Sequence, residues 1–173
     1  FNEDISDWDT RNVTSMKETF SQSEFNGNIS KWDTSNVTDM SNMFYKNFHF
    51  EGTGGLNTSV KTRKDANGNN ENYLAWDTKN VTNMSQMFHG WYSDVDVFNG
   101  EISNWNTEKV TNMSRMFQDR HVFNKQIGEK VVQLKDSDGN DFGDPYTAWN
   151  LQKIEHMSSM FRNAKSFNNG VNN

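Results

Sequence analysis

One phrase recurs five times along the chain: a tryptophan, an Asp/Asn-Thr-like step, a Val-Thr pair and a Met-x-x-Met-Phe close. The copies run Trp8…Val13-Thr14…Met16…Phe20, then Trp32…Val37-Thr38…Met40…Met43-Phe44, then Trp76…Val81-Thr82…Met84…Met87-Phe88. Two more follow, Trp105…Val110-Thr111…Met113…Met116-Phe117 and Trp149…Ile154…Met157…Met160-Phe161. All nine methionines and five of the six tryptophans fall on this template, so nearly every large apolar side chain is assigned by the period alone. A unit this short cannot bury its apolar face by itself and must stack on its neighbours. The same regularity argues against an enzyme, because catalysis needs unlike residues converging on one unique place.

A second phrase, Phe-Asn-x-x-Ile-Ser, precedes the tryptophan at Phe1, Phe25 and Phe98, with degenerate copies at Phe50, Phe123 and Phe167. Successive steps of 24, 25, 48, 25 and 44 residues between these phenylalanines set a unit of 24–25 residues. The units are 1–24, 25–49, 50–97, 98–122 and 123–166, with a partial one at 167–173, all in a single domain. Because the chain starts and stops inside a repeat, it reads as a piece of a longer array.

The two long units share one irregularity. From Phe to Trp the distance is 7 residues in the short units but 26 from Phe50 to Trp76 and again from Phe123 to Trp149. Each extension, about 57–75 and 130–147, runs through extended-looking residues into Asn67-Gly68 or Asp138-Gly139 and back through a tyrosine. Both dipeptides suit a tight hairpin turn, since their residues tolerate positive φ. Two β-hairpin flaps are therefore expected, and insertions in arrays usually map to one face, often a binding face.

Within a short unit, Phe-Asn-x-x-Ile-Ser alternates well enough for a short strand, while Met40, Met43 and Phe44 share one face of a helical turn with Thr38 as its cap. The expected architecture is a leucine-rich-repeat-like solenoid, with one short parallel strand and one short helix or 3₁₀ turn per unit. The full motif resembles the repeat of the BspA-like leucine-rich-repeat bacterial surface proteins, and also that of mycoplasma-type surface lipoproteins of unassigned function. The resemblance spans the chain except for the two flaps. It implies display outside the cell, with a lipid or other anchor beyond this segment, and it carries no catalytic residues. The fifth unit departs from the motif at Leu151 and Glu155, where the others hold threonine.

Composition narrows the function classes. Only 32% of residues are apolar, and mean hydropathy is −0.97, values that lean towards disorder unless the apolar residues are concentrated on one stripe, as the period provides. The net charge of −6 offers no basic stripe for nucleic acid. Absent cysteine excludes disulfides and thiolate metal sites, which suits the cytosol or a bacterial surface equally. No run of about 18 apolar residues predicts a membrane span.

Few residues lie off the template, and these are the candidate sites. Tyr73 and Tyr146 on the flaps, Phe142, and Trp91-Tyr92 after Met87-Phe88 are residue types that dominate binding hot spots and sugar stacking; the competing reading is that they pack the flaps onto the body. Asp136-x-Asp138-x-Asn140 resembles the opening of a calcium loop, although Asp141 stands at its glycine position and a polar hairpin tip explains the same letters. His49, His89, His121 and His156 share no metal-ligand spacing. Asn2, Asn26, Asn99, Asn124 and Asn168 are expected to form a ladder on turn backbone. The threonine rows at 10, 34, 78 and 107 and at 14, 38, 82 and 111 could form an ice-binding array, but Leu151 and Glu155 break them.

The expected function is non-enzymatic recognition or adhesion at a bacterial cell surface, without a cofactor, through the flaps and the repeat face. The partner is a host or neighbouring-cell protein, or a glycan. A structural spacer is the alternative.

Overall fold

The computed structural model describes residues 1–53, 55–91 and 96–168. Its only strands among these are β1 (Ser59–Lys64), β2 (Asn70–Ala75), β3 (Lys130–Lys135) and β4 (Asp141–Ala148), paired as two antiparallel two-stranded sheets, β1 with β2 and β3 with β4. No α-helix or 3₁₀ helix occurs among the described residues. The leucine-rich-repeat-like solenoid expected above is therefore overturned: no unit carries the short helix or 3₁₀ turn, and none contributes a parallel strand.

What replaces the helix follows from where the N–H groups of Met-x-x-Met-Phe go. A helix would send them to carbonyls four residues back. Here Met40, Asn42, Phe44 and Lys46 donate instead to Asn83, Ser85, Met87 and His89 of the following unit, at 2.8–3.0 Å. Between these rungs, Met43 N–H donates to Met40 carbonyl and Asn47 N–H to Phe44 carbonyl, closing two tight turns. The third residue of each turn has positive φ: Asn42 at 57° and Lys46 at 54°, with Glu18, Gln22, Gln86, Arg115, Asp119, Ser159 and Asn163 in the same slots. Positive φ at the third position is what a type II turn requires, and it is incompatible with a right-handed helix. Apolar spacing at i, i+3 and i+4 thus serves a pair of turns as well as it serves a helix.

Adjacent units meet through single parallel bridges, Ser15 to Asp39, Asp39 to Asn83, Asn83 to Asn112 and Asn112 to His156. Side chains extend the rungs. Indole Nε1 of Trp32, Trp76, Trp105 and Trp149 donates to the carbonyls of Ile5, Ile29, Leu56 and Ile102 at 2.6–3.0 Å. Thr10, Thr34, Thr78 and Thr107 donate to carbonyls of the next unit at 2.8–3.0 Å. These threonines are buried, so the first of the two rows weighed for ice binding lies inside. The asparagines do form a ladder: Asn2, Asn26, Asn99 and Asn124 accept the N–H of Asn26, Glu51, Asn124 and Asn168 at 2.7–3.0 Å.

The core is the template itself except in the end units, where Trp8 and Met157 are exposed. Met40, Met43, Phe44, Met84, Met87, Phe88, Met113, Met116 and Phe117 are fully buried. Phenylalanine rings stack from unit to unit, Phe44 on Phe88 at 5.5 Å and Phe88 on Phe117 at 5.8 Å. A second column lies against the first, with Phe44 to Phe50 at 3.8 Å and Phe88 to Phe98 at 4.0 Å. Each fully buried side chain of this size contributes about 1.5–3 kcal/mol, which is how a chain so poor in apolar residues still forms a core.

The two hairpins occupy the inserted segments. In the first, Ser59 pairs with Ala75 and Lys64 with Asn70; in the second, Lys130 pairs with Ala148 and Lys135 with Asp141, with a register shift between Val132 and Leu134. Their tips match: Asp65 Oδ1 accepts the N–H of Asn67 and Asn69, and Asp136 Oδ1 accepts those of Asp138 and Asn140, at 2.8–3.0 Å. Both hairpins re-enter the stack through a tryptophan at φ 52°, Trp76 and Trp149, each donating its N–H to the tryptophan of a preceding unit at 3.0 Å. Strand β1 also touches β3, so the hairpins lie side by side although a hairpin-free unit separates them in sequence.

Candidate functional site

The off-template residues fall into two places. The first is the base of the hairpins. Tyr73, on β2 opposite Lys61, is half-buried and donates its hydroxyl to the Lys31 carbonyl at 2.6 Å. The Arg63 guanidinium lies 4.5 Å over its ring and bridges Asp33, at 2.6 Å, and Glu71, at 3.0 Å. Burial opposes ionisation of Asp33, but the hydrogen bonds from Ser35 and Arg63 outweigh it and hold the carboxyl below its ordinary value. Tyr146, on β4 opposite Val132, repeats the anchor by donating to the Asn104 carbonyl. Burial pushes its hydroxyl up to about 12. Both tyrosines thus tie a hairpin to the preceding short unit, and this is the packing role weighed for them above.

Their surroundings differ in polarity. A cleft of about 330 Å³ opens between the first hairpin and the two leading units, lined by Trp8, Arg11, Lys31, Asp33, Arg63 and Tyr73 among others. Most of its charges are paired, Arg11 with Asp9 at 2.8 Å, Lys31 with Asp7 at 2.7 Å, and Arg63 as above. The second hairpin is more apolar, with Val132 and Leu134 buried, Phe142 partly exposed opposite Leu134, and Val131 76% exposed.

The second place surrounds Trp91, the one tryptophan off the template, whose side chain is 52% exposed. It lines a small pocket of about 250 Å³ with Tyr45, Lys46, His89, Gly90 and Asp119. Lys46 Nζ sits 3.8 Å from the Trp91 ring centroid and 4.9 Å from that of Tyr45. His89 meets Tyr45 edge-on at 5.1 Å and approaches Asp119 at 3.5 Å. Burial pushes the His89 ring below its ordinary value despite the nearby carboxylate. Burial also opposes the charge on Asp119, yet hydrogen bonds from Asn163, at 2.7 Å, and Gln118, at 3.1 Å, keep it below the usual range. Tyr92, named with Trp91 above, lies outside the described residues.

The structure does not gather the sequence candidates into one site: Tyr73 and Trp91 line different clefts. Lys46 and Asp119 escaped the sequence reading, which weighed His89 only as a metal ligand. Lys46 and Asp119 hold turn slots that other units fill with different residues, and the side-by-side placement of stacked units brings them together. At the calcium candidate, Asp136 spends one oxygen on two backbone N–H groups, led by Asn140, which hold its carboxyl below the ordinary range. Asp65 does the same with Asn67 in place of Asp138, so a polar tip accounts for the arrangement. No group of three or more His, Asp or Glu that could hold a metal exists among the described residues.

A family model described as "Mycoplasma protein of unknown function, DUF285" matches residues 1–66 and 57–173. No curated protein and no solved structure matches the chain. Among the described residues, no helix is long and apolar enough to cross a membrane.

Proposed function

The chain belongs to the DUF285 family of Mycoplasma proteins of unknown function, and on that premise we propose that it is a non-enzymatic recognition module, displayed on a bacterial surface, that binds a protein partner through its two hairpins. The observation that carries this reading is the duplication of the hairpin. The same excursion is inserted twice at the same point of the repeat, tied down by the same tyrosine contact and placed against its twin. Core formation has no need of it, because the hairpin-free fourth unit buries Ile102, Trp105, Val110, Met113, Met116 and Phe117 completely. A surface made of two adjacent hairpins is wide enough to engage a protein and offers Phe142 and Val131 as apolar contacts within a polar rim. Display outside the cell, in the manner of the BspA-like proteins and the surface lipoproteins that the repeat resembles, places the partner on a host or neighbouring cell.

A structural spacer is the second reading, favoured by the tyrosine anchors, which spend the hairpins' most distinctive side chains on the body of the protein. Removing residues 57–75 and 130–147 separates the two. The recognition reading expects adhesion of coated beads to target cells to disappear while circular dichroism and melting show the stacked units still folded. Unchanged adhesion by the shortened protein leaves only the spacer.

A further inference from the structure

The segment that carries Trp91 is a departure from the repeat in its own right. From the last phenylalanine of the template to the first of the next unit the chain takes 5 residues after Phe20 and 6 after Phe44, Phe117 and Phe161, but 10 after Phe88. Its far end is fastened by an uncommon device. Arg120, fully buried, donates to the carbonyls of Phe88, Asn47 at 3.1 Å and Phe44 at 3.4 Å, and pairs with Asp96 at 2.8 Å. The other Asp96 oxygen accepts the Val122 N–H at 3.2 Å. A guanidinium taken wholly out of water is costly unless every donor is matched. Here that arrangement fixes the chain at Asp96, where the extra length rejoins the body.

Near the start of the excess, Gly90 is in a place where no other residue fits, because a Cβ would stand 2.6 Å from the Asp119 carbonyl. Trp91 therefore leaves the stack at a fixed point and is held over Lys46. The pocket it closes has aromatic walls, one cation and one carboxylate. Lys46 meets the Trp91 and Tyr45 rings, and no carboxylate among the described residues lies within ion-pair distance of it. Asp119 is already engaged by Asn163, Gln118 and His89. Among the described residues, the pocket's unmatched charge is thus positive, in a chain of net charge −6.

We propose that this pocket binds a single carboxylated sugar ring of the uronic-acid class, its carboxylate on Lys46, its apolar CH face on the open part of the Trp91 indole, and its hydroxyls towards His89 and Asp119. The size supports one ring over a longer ligand, since about 250 Å³ falls below the volume of pockets that enclose drug-sized molecules. The aromatic wall with a few fixed polar groups is the lining a small polar ligand with one apolar face requires. This site is separate from the hairpin surface and stands whether or not that surface binds a protein.

The test is titration of the intact chain with methyl β-D-glucuronide, followed by the indole Nε1–H resonances, with the Trp91→Ala variant identifying the relevant signal. The indole N–H groups of Trp32, Trp76, Trp105 and Trp149 are committed to carbonyls inside the stack, so their signals should hold still. A saturable shift of the Trp91 signal is expected. It should weaken about tenfold with the neutral methyl β-D-glucoside and about as much in Lys46→Gln, the loss of one charge-assisted contact. The protein lacking both hairpins should keep the response. A Trp91 signal that never moves overturns the proposal. Equal binding of the glucoside, of acetate alone or of N-acetylglutamate amide does so too, the last pointing to an acidic peptide instead.

Discussion

The turn slots show how single residues decide the local structure. Nine non-glycine residues occupy positive φ at the third position of a Met-led or Phe-led turn, from Glu18 to Asn163, whereas Gly90, at the tenth such position, does not. Asparagine and aspartate tolerate this conformation, but glutamate, glutamine and arginine hold it only because the rungs on either side fix it. Arg115, exposed and at φ 58°, is the cleanest place to measure the strain. Arg115→Gly should stabilise the protein by about 0.5–1 kcal/mol by denaturant unfolding, whereas Arg115→Val should destabilise it by more than that. If valine were tolerated, the backbone there would not be left-handed. A buried template position gives the opposite extreme. Met40→Asp places an unpaired charge where the side chain has no access to water, and a loss of about 4 kcal/mol or more is expected from melting. The identity of the core residues was legible in the sequence because the period marks them. The slot residues were not, since nothing in Glu18, Gln86 or Arg115 announces positive φ.

At the scale of elements, the hairpins were readable and the expected helices were false. Asn67-Gly68 and Asp138-Gly139 state their turn directly. Met-x-x-Met-Phe does not, because its apolar spacing is common to a helix and to two successive turns, and only the destination of the N–H groups separates them. That Tyr73 and Tyr146 pack the hairpins onto the body was one of two readings open in the sequence, but their acceptors, the backbone carbonyls of Lys31 and Asn104 some forty residues away, were hidden. That docking has a pH signature. Tyr146 ionises near 12 in the folded protein against about 10 when free, so the fold retains its proton more tightly. Its contribution to stability is complete below about pH 10 and disappears as pH rises towards 12. Tyr146→Phe should remove this alkaline step, and at neutral pH it should cost about 1 kcal/mol for the lost hydrogen bond. Ultraviolet titration of tyrosinate, compared between the two proteins, gives the check; a Tyr146 that titrates near 10 would mean an undocked hairpin. Asp33 acts at the other end of the scale. Its carboxyl is held below its free value, so the Arg63 tie persists above about pH 4 and loosens as the pH falls through the depressed value. Hydrogen exchange of the β1–β2 amides should accelerate below that pH in the wild type and at all pH values in Asp33→Asn.

The molecule as a whole combines a periodic body with two features that break the period at a fixed interval. The body has nearest-neighbour logic: every bridge, indole bond and phenylalanine contact joins one unit to the next. Stability in such an arrangement is close to a sum over units and their interfaces, so adding a unit is neutral or stabilising. The hairpins follow a different rule, because β1 touches β3 across the width of one intervening unit. Their contact therefore depends on a spacing that the body does not enforce. Inserting a second copy of residues 98–122 after residue 122, with alanine at the copy's Arg120 position because Asp96 is already paired, should keep the stacked units folded, with a melting temperature no lower than that of the parent, and should pull the hairpins apart. Amide exchange at Val132 and Leu134, both buried in the parent, should then accelerate, while exchange at the rungs of Met84 and Met113 stays slow. If exchange on β3 is unchanged, each hairpin rests on its own unit and the shared surface is incidental. If the proposed partner spans both hairpins, the same insertion should weaken binding by about the factor gained from linking two contacts, a hundredfold or more. An affinity that survives the insertion would confine recognition to a single hairpin.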